Sequence, residues 1–259
     1  MPVLFDNLVF DWWDQDEWIK WHKDNWTISI LITATYLLIT GGIRQWMVNR
    51  KPFNLKVPLI VWNTSLAIFS TIGALQSCYN AFWAIKDKGL INGLCDNSFM
   101  QEKAALFCGW LFAWSKVFEL GDTLFLALRR KPLTLLHVYH HSITLIVCFY
   151  LYPTETAICR WTATLNFTVH SFMYLYFAIT ACGYRIPSAF AKALTIAQLG
   201  QMIAGILICI VHITMISAGL PCHGKIDLSL ITIGVYFSYA ILFAHLYVQK
   251  YSNKSRKSQ

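Results

Sequence analysis

Long apolar runs alternate with short polar connectors along this chain. Seven runs stand out, at about 26–43, 57–85, 104–128, 133–151, 157–181, 189–218 and 228–248. Each is long enough for a helix that crosses a hydrocarbon core, which takes about 20 residues. The runs at 57–85 and 189–218 exceed one crossing, so they are expected to tilt or to extend past the bilayer. The pattern predicts an all-α polytopic membrane protein, with seven transmembrane helices around a buried chamber. An N-terminal segment (1–25) precedes the helical domain (26–248), and a basic tail (249–259) follows it. There is no internal repeat, low-complexity tract or linker. Residues 1–25 are acidic and rich in Trp, with neither a basic leader nor a small-residue cleavage site.

Composition narrows the class further. Hydrophobic residues make up 56% of the 259, charged residues only 13%, and mean hydropathy is +0.48. A soluble domain averages about 25% charged residues. An ordinary soluble globule, a disordered chain and a collagen-like chain are excluded.

Charge orients the spans. The segments 44–56, 129–132, 182–192 and 249–259 carry 13 basic residues and no acid, whereas 1–25, 86–103, 152–160 and 219–227 carry 7 basic and 11 acidic. Lys and Arg collect on the cytosolic side, so the N-terminus is expected to be luminal and the C-terminus cytosolic. The acid-free face has two readings: the topology signal itself with attraction to anionic lipid, or attraction for a polyanionic substrate such as a CoA ester or nucleotide. Nothing suggests nucleic acid. The end of the tail, Lys254 to Gln259, is close to a dibasic signal for return to the endoplasmic reticulum.

Most of the eight cysteines lie in spans and read as small hydrophobes. Cys95 and Cys222 instead fall in polar connectors on the oxidising side. A disulfide between them is one expectation and two free thiols the other, since spacing does not decide. Asn25, Trp26 and Thr27 form a glycosylation sequon too close to the first span to be used.

A charged group at the bilayer centre costs about 2.5–3.5 kcal/mol on insertion scales, so it needs a partner or a purpose. Here such groups cluster in four stripes. Lys116, Glu119, Asp122 and Thr123 follow one helix face, just before the basic run Arg129, Arg130, Lys131. His137, His140 and His141 share a helical turn. Asn166, His170 and Tyr174 are spaced by four. Thr195, Gln198 and Gln201 are spaced by three. For the first, third and fourth stripes taken singly, polar seams between helices compete with a site. Three histidines in five apolar residues do not read as packing. Four stripes on four successive spans fit one interior chamber, open toward the basic side. His212 and His245 stand alone and read as structural; His22 and His223 carry no site signal.

Two chemistries suit such a chamber. Desaturase-like di-iron sites draw on about three histidine boxes and eight or so ligands. With one box and six span histidines, di-iron is disfavoured, and a single zinc on the 137–141 histidines with His170 has no support. The other chemistry is metal-free acyl transfer. Imidazole can be general base, oxyanion donor or nucleophile. No Ser sits in a nucleophile elbow and no Cys within the stripes, so a covalent acyl carrier would be a histidine. Water-labile acyl-imidazole suits a sealed compartment. A seven-span receptor does not explain the histidine turn beside a Lys/Glu/Asp stripe. A transporter predicts broken helices or repeats.

The stripes resemble, in order, the motifs of the ELO family of very-long-chain fatty acid elongases: Lys116-x-x-Glu119-x-x-Asp122-Thr123, His137-x-x-His140-His141, Asn166-x-x-x-His170-x-x-Met173-Tyr174-x-Tyr176 and Thr195-x-x-Gln198-x-x-Gln201. The resemblance covers about 26–250. Phe177 departs from it, where many members carry Tyr, and an effect on pocket polarity alone is expected. The resemblance implies a seven-helix enzyme of the endoplasmic reticulum. It would condense long-chain acyl-CoA with malonyl-CoA to 3-oxoacyl-CoA, CO2 and CoA, with no bound cofactor. Ketoacyl-CoA reductase, dehydratase and enoyl-CoA reductase would complete the cycle, and association as a homo- or heterodimer is open. In this reading His140 carries the acyl group or acts as base. His137 and His141 set its tautomer and stabilise the oxyanion. His170, held by Asn166, assists decarboxylation. Asp122 and Glu119 orient the histidines, and Lys116 balances charge. Gln198 and Gln201 donate to substrate oxygens, and Thr123 and Tyr174 line the binding site. Arg129, Arg130, Lys131 and Arg185 are candidates for CoA phosphates. Thr195–Met202 and the Asn-Phe-x-Val-His run look most like members acting on saturated and monounsaturated chains; Val138 is shared with members taking longer or polyunsaturated ones.

Overall fold

A computed structural model describes residues 13–252; the signal at Lys254 to Gln259 lies outside them. Every regular element among the described residues is helical. The chain divides into two compact units, the first drawing on residues up to 59 and 98–155, the second on 60–97 and from 156 onward.

The first unit holds α1 (Gln15–Asn25), α2 (Ile28–Trp46), α5 (Lys103–Glu119), α6 (Gly121–Leu128) and α7 (Leu135–Leu151). Asp14 caps α1, its carboxylate accepting from the amides of Asp16 and Glu17 at 2.9 and 3.1 Å. The segment before the first span is therefore a helix, held by its tryptophans rather than by an aliphatic stripe. Its His22 is fully buried among Trp18, Trp21, Trp114, Phe149 and Tyr152. Burial holds the His22 imidazole below the ordinary histidine pKa, so it packs as a neutral ring. Tyr36, Ala113, Leu120, Leu145 and Phe149 form the core beneath it.

The apolar run 104–128 is not one helix. The Leu120 amide turns back to Val117 O (3.3 Å), and α6 starts afresh at Gly121. The stripe expected on a single face is thus split: Lys116 and Glu119 end α5, while Asp122 and Thr123 begin α6.

The second unit holds most of α3 (Lys56–Lys88), with α4 (Leu90–Cys95), α8 (Ile158–Cys182), α9 (Ser188–Ser217) and α10 (Ile226–Tyr247). α9 packs against both α8 and α10. α3 approaches α8 at Gly73, where an added Cβ would sit 2.5 Å from the ring of Phe167, itself 3% exposed and edge-on to Phe69. Gly73→Ala is expected to lower stability by about 1–3 kcal/mol through overpacking, read as a lower unfolding temperature in detergent. An unchanged temperature would mean that the ring moves aside freely.

One end of this unit is tied covalently and ionically. Cys95 and Cys222 form a disulfide. The His223 amide donates to Cys95 O and the Ala157 amide to His223 O. Asp96 accepts both terminal nitrogens of Arg160 at 3.0 Å and also pairs with Lys88. Gly224, at φ +132°, lies where a Cβ would meet Thr156 Oγ1 at 2.3 Å, so only glycine fits. His212 is buried here, bonded to Ser229 Oγ (2.9 Å) and His223 O (3.0 Å), which gives it a structural role.

Among the described residues, five helices are long and apolar enough to cross a membrane: α2, α3, α7 with its terminal turn, α9 and α10 with its last turn. This is a multi-pass membrane protein, but the length and hydropathy of its helices do not yield the seven spans expected from the apolar runs. The break at Leu120 shortens α5 and α6, and α8 carries Arg160, Asn166, His170 and several threonines. These polar side chains lower its apolar character.

Candidate active site

Two polar stripes fall in each unit. In the first, Lys116 and Glu119 are both buried and form an ion pair at 2.7 Å, with Ser115 Oγ donating to the same carboxylate oxygen at 3.1 Å. Two charges three residues apart on one helix face can meet this way, and neither would be stable alone in an apolar unit. One turn later Thr123, with no exposed surface, bonds His137 Nε2 at 2.9 Å and the Tyr36 phenol at 2.8 Å. Asp122, beside it, is half-buried.

His137 is placed by a cap. The Thr134 hydroxyl accepts the His137 amide at 3.2 Å and starts α7, so the three histidines occupy its first two turns. The rings of His137 and His141 lie 4.4 Å apart at 46°, and those of His140 and His141 5.4 Å apart, nearly perpendicular. His141 is buried; His137 and His140 are partly exposed. This is a contiguous imidazole surface with two partly exposed rings. Among the described residues, no three His, Cys, Asp or Glu side chains are grouped closely enough to hold a metal ion.

The basic run follows α6. Arg130 adopts a left-handed conformation (φ 54°), which turns the chain so that its Nη1 donates to Arg50 O at 3.1 Å. Phe53 N donates to Leu128 O at 3.1 Å, bringing the 47–55 connector against the run. Arg50 and Lys51, which orientation counting treats only as charges, therefore join Arg130 and Lys131 at one exposed edge of this unit. Arg50 covers Trp46 at 4.1 Å, and Trp46 stacks on Phe53.

In the second unit Asn166 Nδ2 and His170 Nε2 are 3.3 Å apart, both residues being buried. The Tyr174 ring stands edge-on to His170 at 5.5 Å and is fixed by Leu66, Ala67, Trp62 and Met173. The i, i+4 spacing thus yields one rigid face bearing amide, imidazole and phenol. Gln198 donates to Met173 Sδ at 3.4 Å, which links the third and fourth stripes across α8 and α9. Thr195 and Gln201 are buried; the Thr195 hydroxyl is turned to Ala191 O, a bond within its own helix. Arg185 is exposed just past the end of α8. Phe177 is 44% exposed.

The residue that sequence reasoning missed is Tyr36. It lies in an apolar stretch of α2 and reads as one more lipid-facing aromatic, yet it is 5% exposed and bonded to the Thr of the first motif. Its spacing from buried Ser29, Thr33 and Thr40 by threes and fours is the available signal.

Comparison with known proteins agrees with these motifs. The family model described as "ELO: GNS1/SUR4 family" matches residues 21–259. A "Very long chain fatty acid elongase 6" of Gallus gallus is 35% identical over 246 residues, covering 95% of this chain and 92% of the relative. The Homo sapiens protein of that name is 35% identical over 247 residues, with the same coverage. One of Drosophila melanogaster is 36% identical over 249 residues, covering 92% and 78%. With four polar stripes in family order and this match over nearly its whole length, the chain belongs to the ELO (GNS1/SUR4) family.

Proposed function

We propose that the protein is a fatty acid elongase that condenses a long-chain acyl-CoA with malonyl-CoA to give 3-oxoacyl-CoA, CO2 and CoA. The observation that carries the reading is the imidazole surface of α7, with two partly exposed rings, one of them hydroxyl-bonded, beside a buried ring, in a chain whose relatives are named as elongases. The His140 imidazole attacks the acyl thioester carbon, the C–S bond breaks, and the thiolate leaves as CoA. His137 and His141 donate to the developing oxyanion. His170, its Nε2 facing the Asn166 amide, serves the second half: malonyl-CoA loses CO2, and the resulting α-carbon attacks the acyl carbonyl, so that the C–C bond forms as the C–N bond to His140 breaks and the imidazole leaves. Glu119, Lys116 and Asp122 hold the ends of α5 and α6 that place Thr123. Gln198 and Gln201 are donors to substrate oxygens. Arg129, Arg130, Lys131 and Arg185 are cationic partners for CoA phosphates. No metal or other cofactor takes part.

The same reading gives seven crossings, with α5–α6 and α8 completing the five apolar helices, an N-terminus in the lumen and a basic C-terminus in the cytosol of the endoplasmic reticulum. The preferred acyl chains are saturated and monounsaturated. The three remaining enzymes of the cycle consume the product.

Purified protein supplied with acyl-CoA alone is expected to release about one equivalent of CoA per active site in a burst, and labelled malonyl-CoA then chases the bound acyl group into 3-oxoacyl-CoA. A chelator leaves both steps unchanged. Condensation without the burst would replace the acyl-imidazole by direct attack. No condensation with any acyl-CoA would remove the proposal.

A further inference from the structure

The hydrogen bonds around Thr123 have a fixed direction. A threonine hydroxyl has one proton, and Thr123 Oγ1 has two partners, the Tyr36 phenol at 2.8 Å and His137 Nε2 at 2.9 Å. At neutral pH the phenol carries its own proton. Among the described residues, Thr123 Oγ1 is the one hydrogen-bond partner of the Tyr36 hydroxyl, and Tyr36 is buried. If Thr123 donated to Tyr36, the phenolic proton would be left buried without an acceptor, at a cost of about 1–3 kcal/mol. So Tyr36 donates to Thr123, and the buried Thr123 proton, with no other acceptor among the described residues, goes to His137. His137 Nε2 is then an acceptor, and the ring proton sits on Nδ1. Were Nε2 protonated, Thr123 would accept from both partners and its own buried proton would be left without an acceptor, at a similar cost.

We infer that Tyr36 is a positioning residue that acts through Thr123 to lock His137 as the neutral Nδ1–H tautomer, which makes Nδ1 the oxyanion donor in the condensation. The inference deepens the proposed function and rests on it for the identity of the oxyanion. The lock is one-way: a phenol at the far end of a two-bond chain decides which nitrogen of a partly exposed imidazole can donate. His141, with its ring 4.4 Å from His137, sees a fixed neighbour rather than two interconverting ones. The α7 cap at Thr134 holds the backbone of the same residue, so position and protonation are set by two different threonines.

Tyr36→Phe removes one oxygen and leaves the ring in its aromatic and aliphatic surroundings. It is expected to lower kcat by about 10- to 100-fold, as for a mis-set catalytic tautomer or a weakened oxyanion donor, with KM for acyl-CoA unchanged within about twofold. Thr123→Val should match it, and adding Tyr36→Phe to Thr123→Val should cost nothing more. Thr123→Ser keeps the relay and should keep most of the rate. The direct readout is 15N NMR of histidine-labelled protein in bilayers, with the His137 signal assigned by its loss in His137→Asn. An unprotonated Nε2 is expected in the unmodified protein, and a mixture of tautomers in Tyr36→Phe. A protonated Nε2 in the unmodified protein, or Tyr36→Phe at full kcat, would overturn the inference. The NMR result is independent of the reaction, so a protein that shows the lock but condenses no acyl-CoA would count against the proposed function alone. If Tyr36→Phe fails to fold, the contrast between Thr123→Ser and Thr123→Val decides.

Discussion

His140→Ala and His170→Ala are each expected to lower 3-oxoacyl-CoA formation by about 10³-fold or more, with folding unchanged. Both side chains belong to helices whose packing rests on other residues. The α7 core is made by Leu145 and Phe149, which are fully buried, whereas His140 is partly exposed and outside it. His170 is buried, but the surrounding contacts run through Tyr174 to Leu66 and Ala67. The two variants should fail differently. Without His140 there is no nucleophile for the thioester, so the burst of CoA from acyl-CoA alone disappears. Without His170 the burst persists, while label from malonyl-CoA does not enter product. Measuring CoA release and product formation in parallel separates the two. Full activity in either variant would overturn that role, and loss of the burst in His170→Ala would move His170 into the first half-reaction.

The second large effect concerns stability. Asp96→Ala is expected to destabilise the second unit by about 3–5 kcal/mol, since it leaves the Arg160 guanidinium as a buried cation without its two carboxylate bonds. The Arg160 side chain is 2% exposed and cannot turn to water, whereas the Lys88 side chain is 44% exposed and can. Lys88→Ala should therefore cost no more than about 1 kcal/mol. The adjoining Cys95–Cys222 bond closes a loop of 127 residues, and Cys95→Ser should cost about 2–5 kcal/mol. Chemical unfolding in detergent, followed by tryptophan fluorescence, ranks the three. Equal effects of Asp96→Ala and Lys88→Ala would mean that water reaches Arg160 and that the pair is not buried.

Much of this protein was legible as text because the bilayer demands long apolar runs and penalises every polar exception. The ends of α2, α3, α7, α8, α9 and α10 fall within a few residues of the apolar runs. His137, His140, His141, Asn166 and His170 stood out for the same reason: the surrounding residues were almost all apolar. The helix before the first span was not legible, since tryptophans packed sideways leave no periodic aliphatic signature. Nor was the break at Leu120, because an i to i−3 turn before a glycine has no separate hydropathic mark.

What the linear order determined by itself is the solvent, a membrane, and where the polar exceptions fall, because a polar residue without a partner is costly in hydrocarbon and stands out against an apolar background. What only the tertiary structure decided is pairing and direction. Asp96 takes Arg160, and Tyr36 reaches Thr123 across 87 positions of chain. Hydrogen bonds are short and directional, so which proton goes to which atom is settled by distances of about 3 Å that no spacing along a chain encodes.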